Sequence, residues 1–151
     1  MIRILSNSSP EAKALLTHMR NDLAQHRVKL TFSRAKMVRF SHGIHTAAYF
    51  LEPTARKWGR IRVGTGNRKP INILMTLAHE YAHFLQWKKK ERVWTKGTHD
   101  LIEGQRYIEL EKRTEKSAIE LLREWGIPAN YRAVRMRSKA YIAYLRETES
   151  A

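Results

Sequence analysis

The chain reads as an α+β domain, with a small antiparallel or mixed three-stranded sheet packed on a helix that carries His79-Glu80-Tyr-Ala-His83. A helical C-terminal half follows. Three short extended runs lie between residues 28 and 64, long helical patterns flank them, and turn or cap residues stand at the ends of the elements.

Ser9-Pro10-Glu11 supplies an N-cap, a first-turn proline and a first-turn acid, which predicts a helix to about His26. Val28, Leu30 and Phe32 alternate with Lys29 and Thr31, the pattern of a half-buried strand. A second extended run covers about His45 to Leu51 and closes at Glu52-Pro53. The third is Gly59 to Gly64, with Ile61 and Val63 inward and Arg60 and Arg62 outward. A turn at Asn67 to Pro70 leads into a helix from about Ile71 to Lys89. The basic segment Lys88 to Thr98 reads as a loop. A long helix from about Leu101 or Gln105 to Trp125 stops at Gly126-Ile-Pro128, and a last helix runs from about Ala129 to Arg146.

At 151 residues the sequence accounts for one domain, with residues 129–151 as a basic helical extension. A hydrophobic content of 42% argues against disorder. Apolar stretches are too short to span a bilayer, and Met1 to Ser9 lacks the pattern of a signal peptide. The absence of cysteine removes disulfides, Cys-based zinc knuckles and thiol catalysis, and a cytoplasmic location is expected. Net charge is +15, and residues 1–79 hold 14 basic side chains against 3 acidic ones. Such a balance favours polyanions, with nucleic acid, anionic lipid and acidic polymers as candidate partners. The basic and aromatic side chains of the last helix, Tyr131, Arg132, Arg135, Arg137, Lys139, Tyr141 and Tyr144, suit the same partners.

Residues 79–83 are the chemistry-bearing motif, H-E-x-x-H. On a helix, His79 and His83 lie one turn apart on one face, the spacing at which two imidazoles hold one zinc ion. Glu80 sits one residue round, placed to act as general base on a water acidified by the metal. Leu74, Leu77, Ala78, Tyr81, Phe84 and Leu85 give this helix an apolar face, so the motif falls in the middle of an amphipathic helix.

A third protein ligand is required, and two candidates compete. One is His99, 16 residues after His83. The other is a carboxylate on the next helix, where Ile108, Glu111, Glu115, Ala118, Leu122 and Trp125 form one stripe. In that reading Glu111 is the ligand, and Glu115, one turn on, accepts the ring N–H of a zinc histidine; the reverse assignment is also open. A small register shift gives Tyr107, Leu110, Thr114, Ala118, Leu121 and Trp125 as an equally apolar stripe, with both glutamates at its solvated edge. His42 and His45 are a weaker metal pair, and His18 and His26 are expected to face solvent or cap the first helix.

Gly59-Arg-Ile-Arg-Val and Ile73 to Trp87 resemble the strand and active-site helix of zincin metallopeptidases. Glu111-Lys-Arg-Thr-Glu115-Lys-Ser-Ala118-Ile-Glu-Leu121-Leu122 is similar to the glutamate helix of ImmA/IrrE-like gluzincins, with Thr114 at a usual Ala and Ser117 at a usual aromatic. The resemblance covers about residues 45–128. It implies a zincin-like fold, a His79-His83-Glu111 zinc site and a zinc-dependent metalloendopeptidase. It also implies a protein or peptide substrate, since members often come from phages and cut regulatory proteins. SprT-like proteases are the second resemblance; they would use a third histidine, here His99, and associate with DNA.

In the mechanism so implied, Glu80 shuttles a proton to the leaving amine, and the strand at 59–64 lies along the cleft edge and pairs with substrate. His99, Tyr107 and Tyr131 are the candidate oxyanion stabilisers. The reading from another class is a non-catalytic, basic nucleic-acid-binding or structural protein whose zinc stabilises the fold.

Overall fold

The structure is a computed structural model, and residues 9–40, 45–90 and 105–127 are described, the side chains of the last segment from Leu110 onward. The element order is α1 (Pro10–Gln25), β1 (Val28–Ser33), β2 (Val38–Arg39), β3 (His45–Thr46), β4 (Ala48–Leu51), β5 (Gly59–Gly64), α2 (Pro70–Lys88) and α3 (Gln105–Glu124). Among the described residues the architecture is α+β, with a mixed three-stranded sheet, a two-stranded ribbon and three helices. The predicted last helix, residues 129–146, lies outside the described residues, as does most of the basic loop.

Ser9 caps α1 by accepting from the Ala12 N–H at 3.2 Å, and Pro10 occupies the first turn, where its missing N–H costs nothing. Ala12, Leu15, Leu16, Met19 and Leu23 repeat at helical spacing and are buried together. His26 ends the helix, its ring against the Asp22 carbonyl, while His18 stays exposed.

The sheet order is β1-β5-β4, with β1 parallel and β4 antiparallel to β5. Leu30 and Phe50 flank Ile61, and Phe32 and Ala48 flank Val63, so one face is apolar across all three strands. That face packs into one core with α1, α2, Ala118 and Leu122. A Cβ on Gly59 would run into the Leu51 carbonyl, so only glycine lets the chain enter β5 this close to the end of β4.

Two expectations are corrected. The second extended run divides at Ala47 into β3 and β4, and β3 pairs with the unanticipated β2 in a separate two-stranded ribbon. Strand β5 does not lie at a cleft edge. Its two sides are taken by β1 and β4, and the alternation of Ile61 and Val63 gave no information on that. Among the described residues the edges of this sheet are β1 and β4.

Helix α2 is buried on nearly every side, from Ile73, Leu74 and Met75 to Tyr81, Ala82, His83, Phe84 and Gln86. It lies between the sheet and α3. Helix α3 ends at Gly126, whose φ of 64° lets the Gly126 N–H reach the Arg123 carbonyl at 3.0 Å and the Ile127 N–H the Leu122 carbonyl at 3.1 Å. This paired closure satisfies the last carbonyls and turns Ile127 back onto the core. Among the described residues no helix is long and apolar enough to cross a membrane.

Helix α1 is tied to α2 by Asp22. Its carboxylate accepts from the Tyr81 hydroxyl at 2.5 Å and from Lys88 Nζ at 2.9 Å, with His26 3.5 Å away. Burial opposes charge on Asp22, but the Tyr81 and Lys88 hydrogen bonds and the Lys88 and His26 charges hold its carboxyl below the usual range. Burial and the Asp22 contact in turn raise the Tyr81 hydroxyl. A depressed carboxyl stabilises the fold above its unfolded pKa of about 4 and loses that contribution as pH falls through its folded value. Asp22→Asn should therefore destabilise by about 1–3 kcal/mol at pH 7. In urea melts the gap from wild type should be full at pH 7 and narrow steadily below pH 5.

Candidate metal centre

The site is built from two helices that each bring one kind of donor. On α2, His79 and His83 are one turn apart, their rings 4.9 Å between centroids and nearly perpendicular at 82°. On α3, Leu110, Glu111, Thr114, Glu115, Ala118 and Leu122 are all buried. This face merges the two stripes expected from the sequence, and it takes both carboxylates inside instead of leaving them at a solvated edge. Buried carboxylates need partners, and α2 provides them.

The Glu111 carboxylate spans the two rings. Its Oε2 is 2.9 Å from His79 Nε2 and its Oε1 is 3.2 Å from His83 Nε2. The opposite ring nitrogens are held elsewhere. His79 Nδ1 donates to Glu115 Oε1 at 2.6 Å, and His83 Nδ1 donates to Gln86 Oε1 at 3.2 Å. The Gln86 amide then donates to Thr114 Oγ1 at 3.0 Å, and the Thr114 hydroxyl to the Leu110 carbonyl at 2.7 Å. Every donor in this chain has one acceptor, which fixes the direction of each bond.

That direction decides the chemistry. With its Nδ1 proton on Gln86, His83 meets the carboxylate oxygen 3.2 Å away through Nε2, as a donor when the ring carries both protons and with a lone pair when it is neutral. Two lone pairs at that distance repel unless positive charge, a proton or a metal ion, stands between them. His79, His83 and Glu111 form a group that can hold a metal ion, their donor atoms all within 4.8 Å of one another. Two donors about 2.0–2.1 Å from a tetrahedral ion are about 3.3 Å apart, so the His–Glu separations suit one.

Electrostatics follow from the same contacts. Burial works against charge on His79, yet its hydrogen bonds to Glu111 and Glu115 carry its pKa well above the ordinary imidazole value. Burial likewise opposes charge on Glu111, and the hydrogen bonds to His79 and His83 override it, holding the carboxyl far below the usual range. Glu80 behaves in the opposite way. Burial raises its carboxyl, His83 and His79 offset part of the rise, and the charges of Glu111 and Glu115 add to it. Glu80 thus senses both imidazoles and both acids, and among the described residues no hydrogen bond pins it down as a carboxylate.

Of the residues singled out in the sequence, His79, Glu80, His83, Glu111 and Glu115 come together here. His99, His42, Tyr131 and the Tyr107 side chain lie outside the described residues, and His45 is exposed on β3, apart from the group. The sequence reading overlooked Gln86 and the role of Thr114. Gln86 follows His83 by three positions, hence shares its helix face, and a glutamine among apolar neighbours was its available signal. No protein-family model matches the chain, and no match emerges among the curated proteins or the solved structures.

The geometry separates donors from supports. Glu111→Ala should abolish stoichiometric metal binding. Glu115→Gln and Gln86→Leu should keep one ion per chain but bind it about 10–100-fold more weakly, as loss of an outer hydrogen-bond partner does. Competition against a chromophoric chelator, with metal content by mass spectrometry, measures both.

Proposed function

We propose that this protein is a zinc-dependent endopeptidase of the gluzincin type, with His79, His83 and Glu111 as metal ligands and Glu80 as catalytic base. The observation that carries the reading is the placement of the Glu111 carboxylate against both Nε2 atoms while Glu115 and Gln86 hold both Nδ1 atoms. Two imidazoles and one carboxylate are the donor set of open catalytic zinc sites, whereas structural sites close with four protein ligands. Among the described residues the metal-capable group has three members.

A divalent ion held there supplies Lewis acidity toward a peptide carbonyl and acidifies water. The rest is the work of this chain. Glu80, adjacent to His79 on the helix, takes a proton from the attacking water and delivers it to the leaving amine. Its raised pKa makes Glu80 a stronger base toward the attacking water than an ordinary carboxylate, and once protonated it is still far more acidic than the amine it protonates. Glu115 keeps the His79 ring in the orientation that turns Nε2 toward Glu111. Gln86 and Thr114 do the same for His83.

An extended substrate segment is best accommodated along β4, an edge of the sheet that packs against α2. Main-chain pairing to such an edge orients a peptide independently of its side chains. In this proposal β4 takes the place the sequence reading assigned to β5. In the glutamate helix, the threonine found at a usual alanine has a local reason, because its hydroxyl receives Gln86.

The deciding experiment is Glu80→Gln in metal-loaded protein, assayed on an unstructured protein such as casein and on a quenched-fluorescence peptide library. Cleavage by the wild type should fall about 10²–10⁴-fold in kcat with the metal content unchanged. A wild type that binds one zinc per chain and cleaves neither substrate, or a Glu80→Gln variant that cleaves normally, would remove the peptidase reading and leave a structural metal.

A further inference from the structure

The sheet has a second face that the core does not use. Register places Lys29, Arg60 and Leu51 in one row across β1, β5 and β4, and Thr31, Arg62 and Tyr49 in the next. The first row is the open one, with Lys29 and Arg60 exposed and Leu51 44% exposed; in the second, Thr31, Arg62 and Tyr49 are half-buried and the Thr31 hydroxyl oxygen is shielded from solvent. Phe40, just after β2, lies against Tyr49 with ring centroids 4.9 Å apart. Trp58, two positions before Arg60, is 54% exposed. Arg34, Lys36 and Arg68 cluster where the parallel strands β1 and β5 end, with the Arg68 guanidinium on the Lys36 carbonyl at 3.2 Å.

This arrangement works against stability. Like charges directly opposite on neighbouring strands repel, and Lys29 and Arg60 are such a pair. None of Lys29, Arg60, Arg62, Arg34 or Lys36 makes an ion pair among the described residues. From Arg27 to His79 the sequence holds 11 Lys and Arg and one acid, Glu52. A face whose cations have no ion-pair partner among the described residues, with an exposed tryptophan close by in the chain, is complementary to a ligand carrying both phosphates and flat bases.

We propose that the outer face of the sheet, centred on Lys29, Arg60 and Arg62 with Trp58 at its border, binds single-stranded nucleic acid. Three strands about 4.8 Å apart make a platform roughly 10 Å wide, on which one strand lies with its phosphates along the arginines. An acidic protein would meet the charge and an anionic membrane would take Trp58 at its headgroup level, but neither offers flat bases spaced along a line of phosphates. The apolar side of the sheet faces α1 and α2, so a strand bound outside leaves the metal centre accessible. The proposal does not rest on peptidase activity.

The test uses the full-length chain and a fluorescein-labelled 30-mer of thymidine, followed by anisotropy across a salt series. Lys29→Ala/Arg60→Ala/Arg62→Ala should weaken binding roughly 10- to 50-fold near 100 mM salt and reduce the salt slope by about 2, at roughly 0.7 for each phosphate no longer neutralised. Trp58→Ala should weaken it about tenfold with the slope unchanged. Lys13→Ala/Arg113→Ala/Lys116→Ala, which removes as much charge from exposed helix positions, should bind like wild type. Loss of the opposed charges should leave the melting temperature unchanged or higher. If the triple variant does not fold, the exposed single substitutions Lys29→Ala and Trp58→Ala carry the same comparison. Equal weakening by the control variant overturns the proposal, as does heparin binding as tight as the oligonucleotide. So does binding of phosphatidylserine vesicles in place of the 30-mer.

Discussion

Two carboxylates buried between α2 and α3 constrain the rest of this structure. Glu111 and Glu115 sit one turn apart on a helix face that also holds Leu110, Ala118 and Leu122. Leaving either charge unpaired would cost several kcal/mol, so α3 can pack only where imidazoles meet both. His79 answers with its two ring nitrogens, one to each glutamate, and His83 meets the other oxygen of Glu111. The apolar residues of α3 bring the helices together, and the acid–imidazole pairs set which residues face each other. Gln86 and Thr114 add a second tie that has one possible direction. A group able to hold a metal and a helix interface that tolerates one register are thus the same object.

The same helix serves three neighbours. One face of α2 carries Tyr81 toward Asp22 of α1, another sets Phe84 against Phe50 of β4, and a third turns His79, His83 and Gln86 toward α3. A helix surrounded in this way has little freedom to shift, and a group able to hold a metal gains from donors on rigid elements. The cost is that nearly every position on it is committed, which is why α2 is so rich in apolar residues and holds its few polar ones for particular bonds. The outer face of the sheet is less committed: Tyr49 meets Phe40 there, but Lys29 and Arg60 are exposed, and there the basic charge collects.

Much of this was legible in the chain. Ser9-Pro10, Pro70 and Gly126 mark helix ends because capping and proline rules act over a few residues. The alternation at Val28 to Phe32 and at Gly59 to Gly64 marks strands because side-chain direction in a strand depends on parity alone. The pairing of His79 with His83 follows from 3.6 residues per turn. Strand order did not follow, since parity says which way Ile61 points and nothing about whether β5 lies inside the sheet or at its edge. The split of residues 45–51 into β3 and β4 depended on β2, a two-residue strand too short to show a pattern.

The amino-acid order by itself determined the local elements, the excess of positive charge and the two-histidine face with its adjacent acid, all of which depend on neighbours within a turn or two. It left open whether Glu111 and Glu115 look inward, because helical periodicity permits two overlapping stripes that differ by a small rotation. Only packing against α2 decided between rotations, and it selected one that buries Leu110 and Thr114 together with both glutamates. The reason is energetic: a carboxylate goes inside only where a distant segment supplies its hydrogen bonds, and that segment is 36 residues away for the bond from His79 to Glu115.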